Sequence, residues 1–361
     1  MFIKKTLTTL TKRYRHFVFY FQLYVIILLV PIAYNAVPVN EGTRTFYIAS
    51  SHIDDVVETL KSNGYEVTWF DKMMLMFRKT PTEGWYSVEP RKYGRILFFQ
   101  HLYKQKTKDL MDVVVYAGET KDELSARLSN DMKLDQQKLL KVYKSLARFE
   151  EADILAGRYT IARKADEDAT MKYIFLASDR TWEKLLEESF DVMPDAMKLK
   201  MLYIVASIIQ KESNSVLEMP LISSVIYNRL EQGMKLQMDG TLNYGKYSRT
   251  IVTPQRIKSD KSRYNTYKYK GLPPDPLCTV SIDALKASMQ PAESNYLFFM
   301  LNSSGTHDFT ETYKEHLQNI RSFRVYLAER GKQKSAKVHE IKPVDRTNLS
   351  VKSVDKNTTV N

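Results

Sequence analysis

The chain has 361 residues, 43% of them apolar, a single cysteine and a formal net charge of +12 at pH 7. One cysteine excludes an intrachain disulfide and a thiolate metal cluster, and none of the 12 glycines falls in a P-loop or dinucleotide-binding spacing. The charge does not mark a nucleic-acid groove either, because residues 1–16 carry +5 and residues 331–361 carry +4, leaving +3 for everything between.

From Phe17 to Asn40 there is no Asp, Glu, Lys, Arg or His, an apolar run long enough to cross roughly 30 Å of hydrocarbon. It predicts one transmembrane helix over residues 17–39. Lys4, Lys5, Lys12, Arg13 and Arg15 precede the run and Glu41 lies just beyond it. The positive-inside rule therefore keeps residues 1–16 in the cytoplasm and exports the chain from residue 40 onward. A cleaved signal peptide would need small residues three and one positions before the cut, and the candidate at Ala36 has Tyr34 at the first of them. The expectation is a single-pass protein of the inner (cytoplasmic) membrane with its bulk on the extracytoplasmic side.

Residues 40–190 carry an internal repeat. Ile48 to Leu60 aligns without gaps on Tyr116 to Leu128, so that Asp55 meets Glu123, Val56 meets Leu124 and Leu60 meets Leu128. Each copy opens on a β-rich run (Thr45-Phe-Tyr-Ile48; Val113-Val-Val-Tyr116), continues through a polar turn into an amphipathic helix, and returns on a Gly-led strand (Gly84-Trp-Tyr-Ser-Val88; Gly157-Arg-Tyr-Thr-Ile161). A strand, a helical region and a returning strand resemble a LysM-like module, which implies glycan binding; a spacer above the membrane is the alternative. Trp85, Tyr86 and Tyr159 are candidates for stacking on sugar rings, although aromatics at strand spacing also build cores.

The next helix places Met201, Ile204, Val205, Ile208 and Ile209 on one apolar face. Glu212 continues that face, three and four residues beyond Ile209 and Ile208. A carboxyl sent toward a core is desolvated, its pKa rises, and near neutral pH it can act as a general acid. On periodicity alone the alternative stays open that this is the last turn and the side chain reaches water. Pro220, the stripe Leu221, Ile222, Val225, Ile226 and Leu230, and Gly233 then describe a second, capped helix. Asn228 and Arg229 lie near its end, Arg229 reading as solvated and Asn228 as either solvated or facing a cleft. Tyr264-Asn-Thr-Tyr267 offers a stacking surface and an amide in one loop. Pro273, Pro274 and Pro276 suit an extended wall beside a buried Cys278. His307 and His316 have no HExxH pairing and read as hydrogen-bonding residues, so no metal site is expected. After Lys332 the sequence is polar and without period, which predicts a disordered tail over 331–361.

Six ordered blocks carry a wider resemblance: Ile204 to Glu212, Pro220 to Leu230, Gly233 to Asp239, Tyr264 to Tyr267, Lys270 to Pro276, and His307-Asp-Phe309 with Glu315-His316. In these the sequence resembles the endolytic murein transglycosylases, the YceG-like family of membrane-anchored peptidoglycan lyases. Two residues depart from that pattern: Gly240 stands where Pro is usual, and Asp275 where Gly is usual. The resemblance implies that Glu212 is the catalytic acid and then base. It implies substrate contacts from Asn228, Gln237, Asp239, Asn265, Tyr267, His307 and Glu315, with Asp239 as an orienting group or a second carboxylate. It also implies cleavage between N-acetylmuramic acid and N-acetylglucosamine to 1,6-anhydro ends, no cofactor, and peptidoglycan glycan strands and wall synthases as partners. The expected fold is α+β: the anchor, LysM-like modules over 40–190, and a mixed α/β catalytic domain over 191–330 built on a lysozyme-like glutamate-bearing helix. The rivals are an idle peptidoglycan-binding scaffold and a hydrolase using Glu212 with Asp239.

Overall fold

A computed structural model of the chain describes residues 2–77 and 79–340. The first helix, α1, runs Phe2–Ala36, and its stretch Tyr14–Ala36 is long and apolar enough to span a membrane. It ends three residues short of the expected boundary at 39.

Next come β1 (Thr45–Ile48), α2 (Ile53–Ser62), α3 (Trp69–Met76), β2 (Gly84–Ser87) and α4 (Arg95–Gln100). The second unit repeats the order with β3 (Leu110–Val115), α5 (Lys121–Met132), α6 (Gln136–Leu146) and β4 (Gly157–Ala162). In each unit the two strands pair antiparallel, Ile48 with Gly84 and Val115 with Gly157 at one end of each ladder. The helices α2 and α5 begin at aligned positions, and both returning strands begin on their glycine. Capping boxes start α3 (Thr68 with Asp71) and α5 (Thr120 with Glu123). Phe46, Ile48, Leu60, Tyr86, Phe98 and Phe99 fill the first core, and Val113, Leu124, Leu128, Leu139 and Ile161 the second. Trp85, Tyr86 and Tyr159 are all buried, so these aromatics build the core and offer no face to a sugar.

The end of α1 is tied to the first unit. Tyr34 Oη donates to Asp71 Oδ1 at 2.9 Å, and the Tyr34 ring meets Phe70 edge-on at 4.7 Å. Asp71 also receives Arg95, with Nη2 2.6 Å from Oδ2; both side chains are buried. Removing one partner of such a pair strands a buried charge, so Asp71→Ala is expected to cost about 3–5 kcal/mol. The check is a lowered melting temperature of the detergent-solubilised chain, recovered in part when Arg95→Met is added.

The long helix α7 (Glu167–Ser189) joins two cores: Met171, Ile174 and Phe175 pack with the second unit, and Trp182, Leu185 and Leu186 with the third. Beyond it lie α8 (Ala196–Glu212), α9 (Met219–Glu231), α10 (Pro254–Ser259), α11 (Ile282–Met289), the hairpin β5 (Phe298–Leu301) with β6 (His307–Thr310), and α12 (Tyr313–Glu340). The chain is therefore mostly α-helical with small two-stranded sheets. Where a mixed α/β domain is expected over residues 191–330, the described strands are those of this one hairpin. Helix α12 also continues ten residues into the segment read as a tail, because Lys, Gln, Ala and Glu sustain a helix without an apolar stripe. Residues 341–361 of that expectation lie outside the described residues.

Candidate active site

The middle of helix α8 is buried on every side: each residue from Leu202 to Ile209 is covered, where the stripe predicts one buried face. Its last three residues each fasten a different segment. Gln210 Oε1 accepts from Ser281 N at the start of α11 (3.0 Å), Lys211 Nζ donates to Gly118 O of the second unit (2.7 Å), and Glu212 Oε1 accepts from Gly240 N (2.5 Å). The end of α8 is thus the junction of the molecule, and Glu212 sits half-buried at it.

Gly240 belongs to a turn whose side chains alternate. Leu236 and Met238 are buried while Gln237 and Asp239 are exposed. Thr266 clamps the turn: its carbonyl accepts from Gln237 N (3.2 Å), and its Oγ1 accepts from Met238 N (3.2 Å) and meets Thr241 Oγ1 at 2.9 Å. Gln237 has a left-handed backbone, φ 49°, a conformation few side-chain-bearing residues adopt without local support. A Cβ at position 240 would lie 2.7 Å from Lys211 Cβ and 2.8 Å from Glu212 Oε1. Only glycine lets the turn approach the carboxyl this closely.

Burial pushes the Glu212 carboxyl up to about 7, opposed by the Gly240 N–H and by Arg229 and reinforced by the charge of Asp239. The Tyr267 hydroxyl donates to Asp239 Oδ1 at 2.7 Å. Burial, this hydrogen bond and the neighbouring carboxylates hold that phenol well above its ordinary range. Glu212, Asp239 and Tyr267 therefore form one group, in which Glu212 keeps its proton up to about pH 7 and Tyr267 keeps its own beyond that.

Arg229 completes it and corrects the sequence reading. It is buried, not solvated; Nε donates to Leu297 O at 2.6 Å, Nη1 to Leu236 O, and the guanidinium lies 5.4 Å over the Phe298 ring. Burial lowers its pKa while Tyr267 and Glu212 oppose the shift. The signal was present: Arg229 comes four and three residues after the buried Val225 and Ile226, the same logic that singles out Glu212.

Four other expected site residues make their described hydrogen bonds away from Glu212. Asn228 Nδ2 donates to Ser294 O and Tyr296 O (2.8 and 3.0 Å). The fully buried Asn265 donates to Ile257 O and Asp260 O and accepts from Tyr267 N, which leaves it as the brace that orients Tyr267. His307 is tied to Glu218, through its N–H (2.6 Å) and through Nδ1 (3.1 Å). Glu315 accepts from Thr312 N in a capping box at the start of α12. None of the four has a described contact with Glu212; the side-chain bonds they make go to main-chain groups or, for His307, to Glu218. Asp275 pairs with Lys200 (2.8 Å) and lines a cavity of about 510 Å³ with Lys121, Arg148 and Glu150, a cavity that does not include Glu212. Among the described residues no three His, Cys, Asp or Glu side chains are placed to hold a metal ion.

Residues 47–322 match the YceG-like family. The chain belongs to the YceG-like family. Over 154 residues it is 32% identical to the endolytic murein transglycosylase of Bacillus subtilis, covering 42% of each chain. Over 122 residues it is 31% identical to that of Streptococcus pneumoniae strain D39, covering 32% of this chain and 22% of that protein. The matched stretch thus spans less than half the length of either relative. A solved structure of a YceG-like protein from Listeria monocytogenes aligns with a TM-score of 0.48 and 22% identity, over 77% of this chain and 99% of that one. Glu212, Arg229, Asp239, Gly240 and Tyr267 all fall within the part of this YceG-like chain that matches the family.

Proposed function

We propose that the chain is a membrane-anchored endolytic transglycosylase that cuts peptidoglycan glycan strands between N-acetylmuramic acid and N-acetylglucosamine. The observation that carries this is the Glu212 carboxyl, pushed up to about 7 by burial, fixed by the Gly240 N–H and flanked by Asp239, Tyr267 and Arg229. Protonated Glu212 donates to the glycosidic oxygen as the bond from the muramic C1 breaks. The C6 hydroxyl of the same sugar then closes on C1, and its proton passes to the Glu212 carboxylate. The bonds and protons balance without water, and Glu212 ends as it began. Arg229 and the Gly240 N–H stabilise the carboxylate between the two transfers, while Tyr267 keeps Asp239 hydrogen-bonded and turned to its own hydroxyl. In this reading α1 holds residues 1–16 on the cytoplasmic side, and the two βααβ units act as LysM-like modules that present the Glu212 site to nascent strands near wall synthases.

The test is the mass of the products. Glycan strands incubated with the full chain in nanodiscs are expected to yield fragments with 1,6-anhydro ends and no added water. Fragments one water heavier would instead assign hydrolysis by Glu212 with Asp239, and unchanged strands would assign a binding scaffold.

A further inference from the structure

Helix α3 is anomalous for a helix at the surface of an exported unit. Its inner face is buried through Asp71, Met74 and Leu75. Its outer face presents Trp69 at 74% exposure, Met76 at 58% and Phe77, the capping residue, at 67%, with Met73 half-buried between them. These positions are spaced i, i+4, i+7 and i+8, so they form one apolar stripe. A stripe of this kind turned to water calls for a partner.

The repeat supplies an internal comparison. Helix α6 occupies the same place in the second unit, and its exposed residues are Gln136, Gln137, Lys138, Lys141, Lys144 and Ser145. The apolar outer face therefore belongs to the copy beside the anchor and not to the βααβ unit as such. The anchor also fixes where that face lies. Tyr34, two residues before the end of α1, meets Thr68 Oγ1 at 2.6 Å, and Thr68 is the N-cap immediately before Trp69. Asn35 Oδ1 accepts from Ile96 N at 3.0 Å in α4, which packs against both α1 and α3 and exposes Leu97 at 41%. The apolar stripe thus begins one residue after Thr68, which meets the last turn of the membrane-spanning stretch at Tyr34.

We propose that α3 lies in the lipid interface on the outer side of the membrane that α1 spans. Trp69, Met76 and Phe77 seat among the headgroups and upper acyl chains and make a second contact with the bilayer. Tryptophan favours this boundary because its ring is apolar and its N–H stays hydrated, and an amphipathic helix binds there through its apolar face. Two contacts, joined through the buried Asp71–Arg95 pair, fix the tilt of the first unit over the membrane. The proposal rests on α1 being a membrane span and is independent of the Glu212 chemistry.

The chain reports on it directly, because Trp85 and Trp182 are buried and Trp69 is exposed. The full chain is reconstituted in phosphatidylglycerol–phosphatidylcholine vesicles beside a Trp69→Phe sample, and the difference between the two emissions isolates Trp69. A nitroxide lipid labelled high on the acyl chain is expected to quench most of this difference emission, and aqueous acrylamide to quench little of it. If acrylamide quenches it and the nitroxide lipid does not, in protein that floats with the vesicles, α3 stands in water and the inference is overturned. Protein that fails to float overturns the α1 reading and the inference together. Met76→Glu with Phe77→Glu is expected to exchange the two quenching results while the protein still floats; unchanged quenching would count against the stripe.

Discussion

Glu212→Gln is expected to lower glycan cleavage by roughly 10²- to 10⁴-fold, the range a positioned acid-base group supplies, while leaving the fold in place. Glutamine keeps the side-chain volume and an Oε1 acceptor for Gly240 N, so the junction at the end of α8 is preserved. What is lost is the transferable proton. In the wild type the acid must be protonated, and its carboxyl is pushed up to about 7. The kcat/KM profile is therefore expected to fall as pH rises through about 7. Stability carries the same signature. The folded carboxyl keeps its proton to about 7 and the unfolded one only to its ordinary 4.5. The stabilisation is fully present below 4.5 and is lost as pH rises through 7. Glu151 is also pushed up to about 7 by burial, so the comparison that isolates Glu212 is the melting temperature of wild type minus Glu212→Gln across this window. A Gln variant that cuts strands at the wild-type rate would remove Glu212 from the chemistry.

What is legible in the sequence shares one property: its cause is local. The carboxyl of Glu212 is carried toward the core by the apolar face within one turn of it, and burial raises its pKa as that placement predicts. The repeat is legible for the same reason, since strand, cap and helix are each written in a few adjacent residues, and α2 and α5 start in register. Arg229 carries the signature of Glu212 one helix later, and its residue type conceals it because arginine ordinarily reads as solvated. The all-round burial of Leu202 to Ile209 in α8 is not legible, since its cover comes from far along the chain. Leu277 N donates to Ser207 Oγ at 3.0 Å, and Thr279 exchanges main-chain hydrogen bonds with Gly118 and Glu119. Asn228 and Asn265 are ambiguous by nature, because the amide that would hold an N-acetyl group serves equally well to hold backbone carbonyls. Only their neighbours distinguish the two uses.

Gly240→Ala is expected to reduce activity by about 10²-fold, the loss associated with displacing a catalytic group by ~1 Å. The new Cβ would meet Lys211 Cβ at 2.7 Å and Glu212 Oε1 at 2.8 Å. Lys211 has little room to yield, since its Nζ is held by Gly118 O and Ser248 Oγ and α8 is buried behind it. The carboxyl must swing instead. Gly240 is not in the left-handed region, so alanine adds volume there without a backbone penalty and keeps the N–H. Gly240→Pro separates the second effect, because proline has no N–H to donate. That N–H favours the ionised carboxylate, so its loss is expected to move the basic limb of the kcat/KM profile upward from about 7, at reduced rate. Proline is the residue that the family resemblance leads one to expect here, and a chain with glycine in its place ties its acid to the main chain instead. An alanine variant of undiminished rate would mean that Glu212 works from another position, and a proline variant with an unmoved limb would mean that the Gly240 N–H does not hold the charged form.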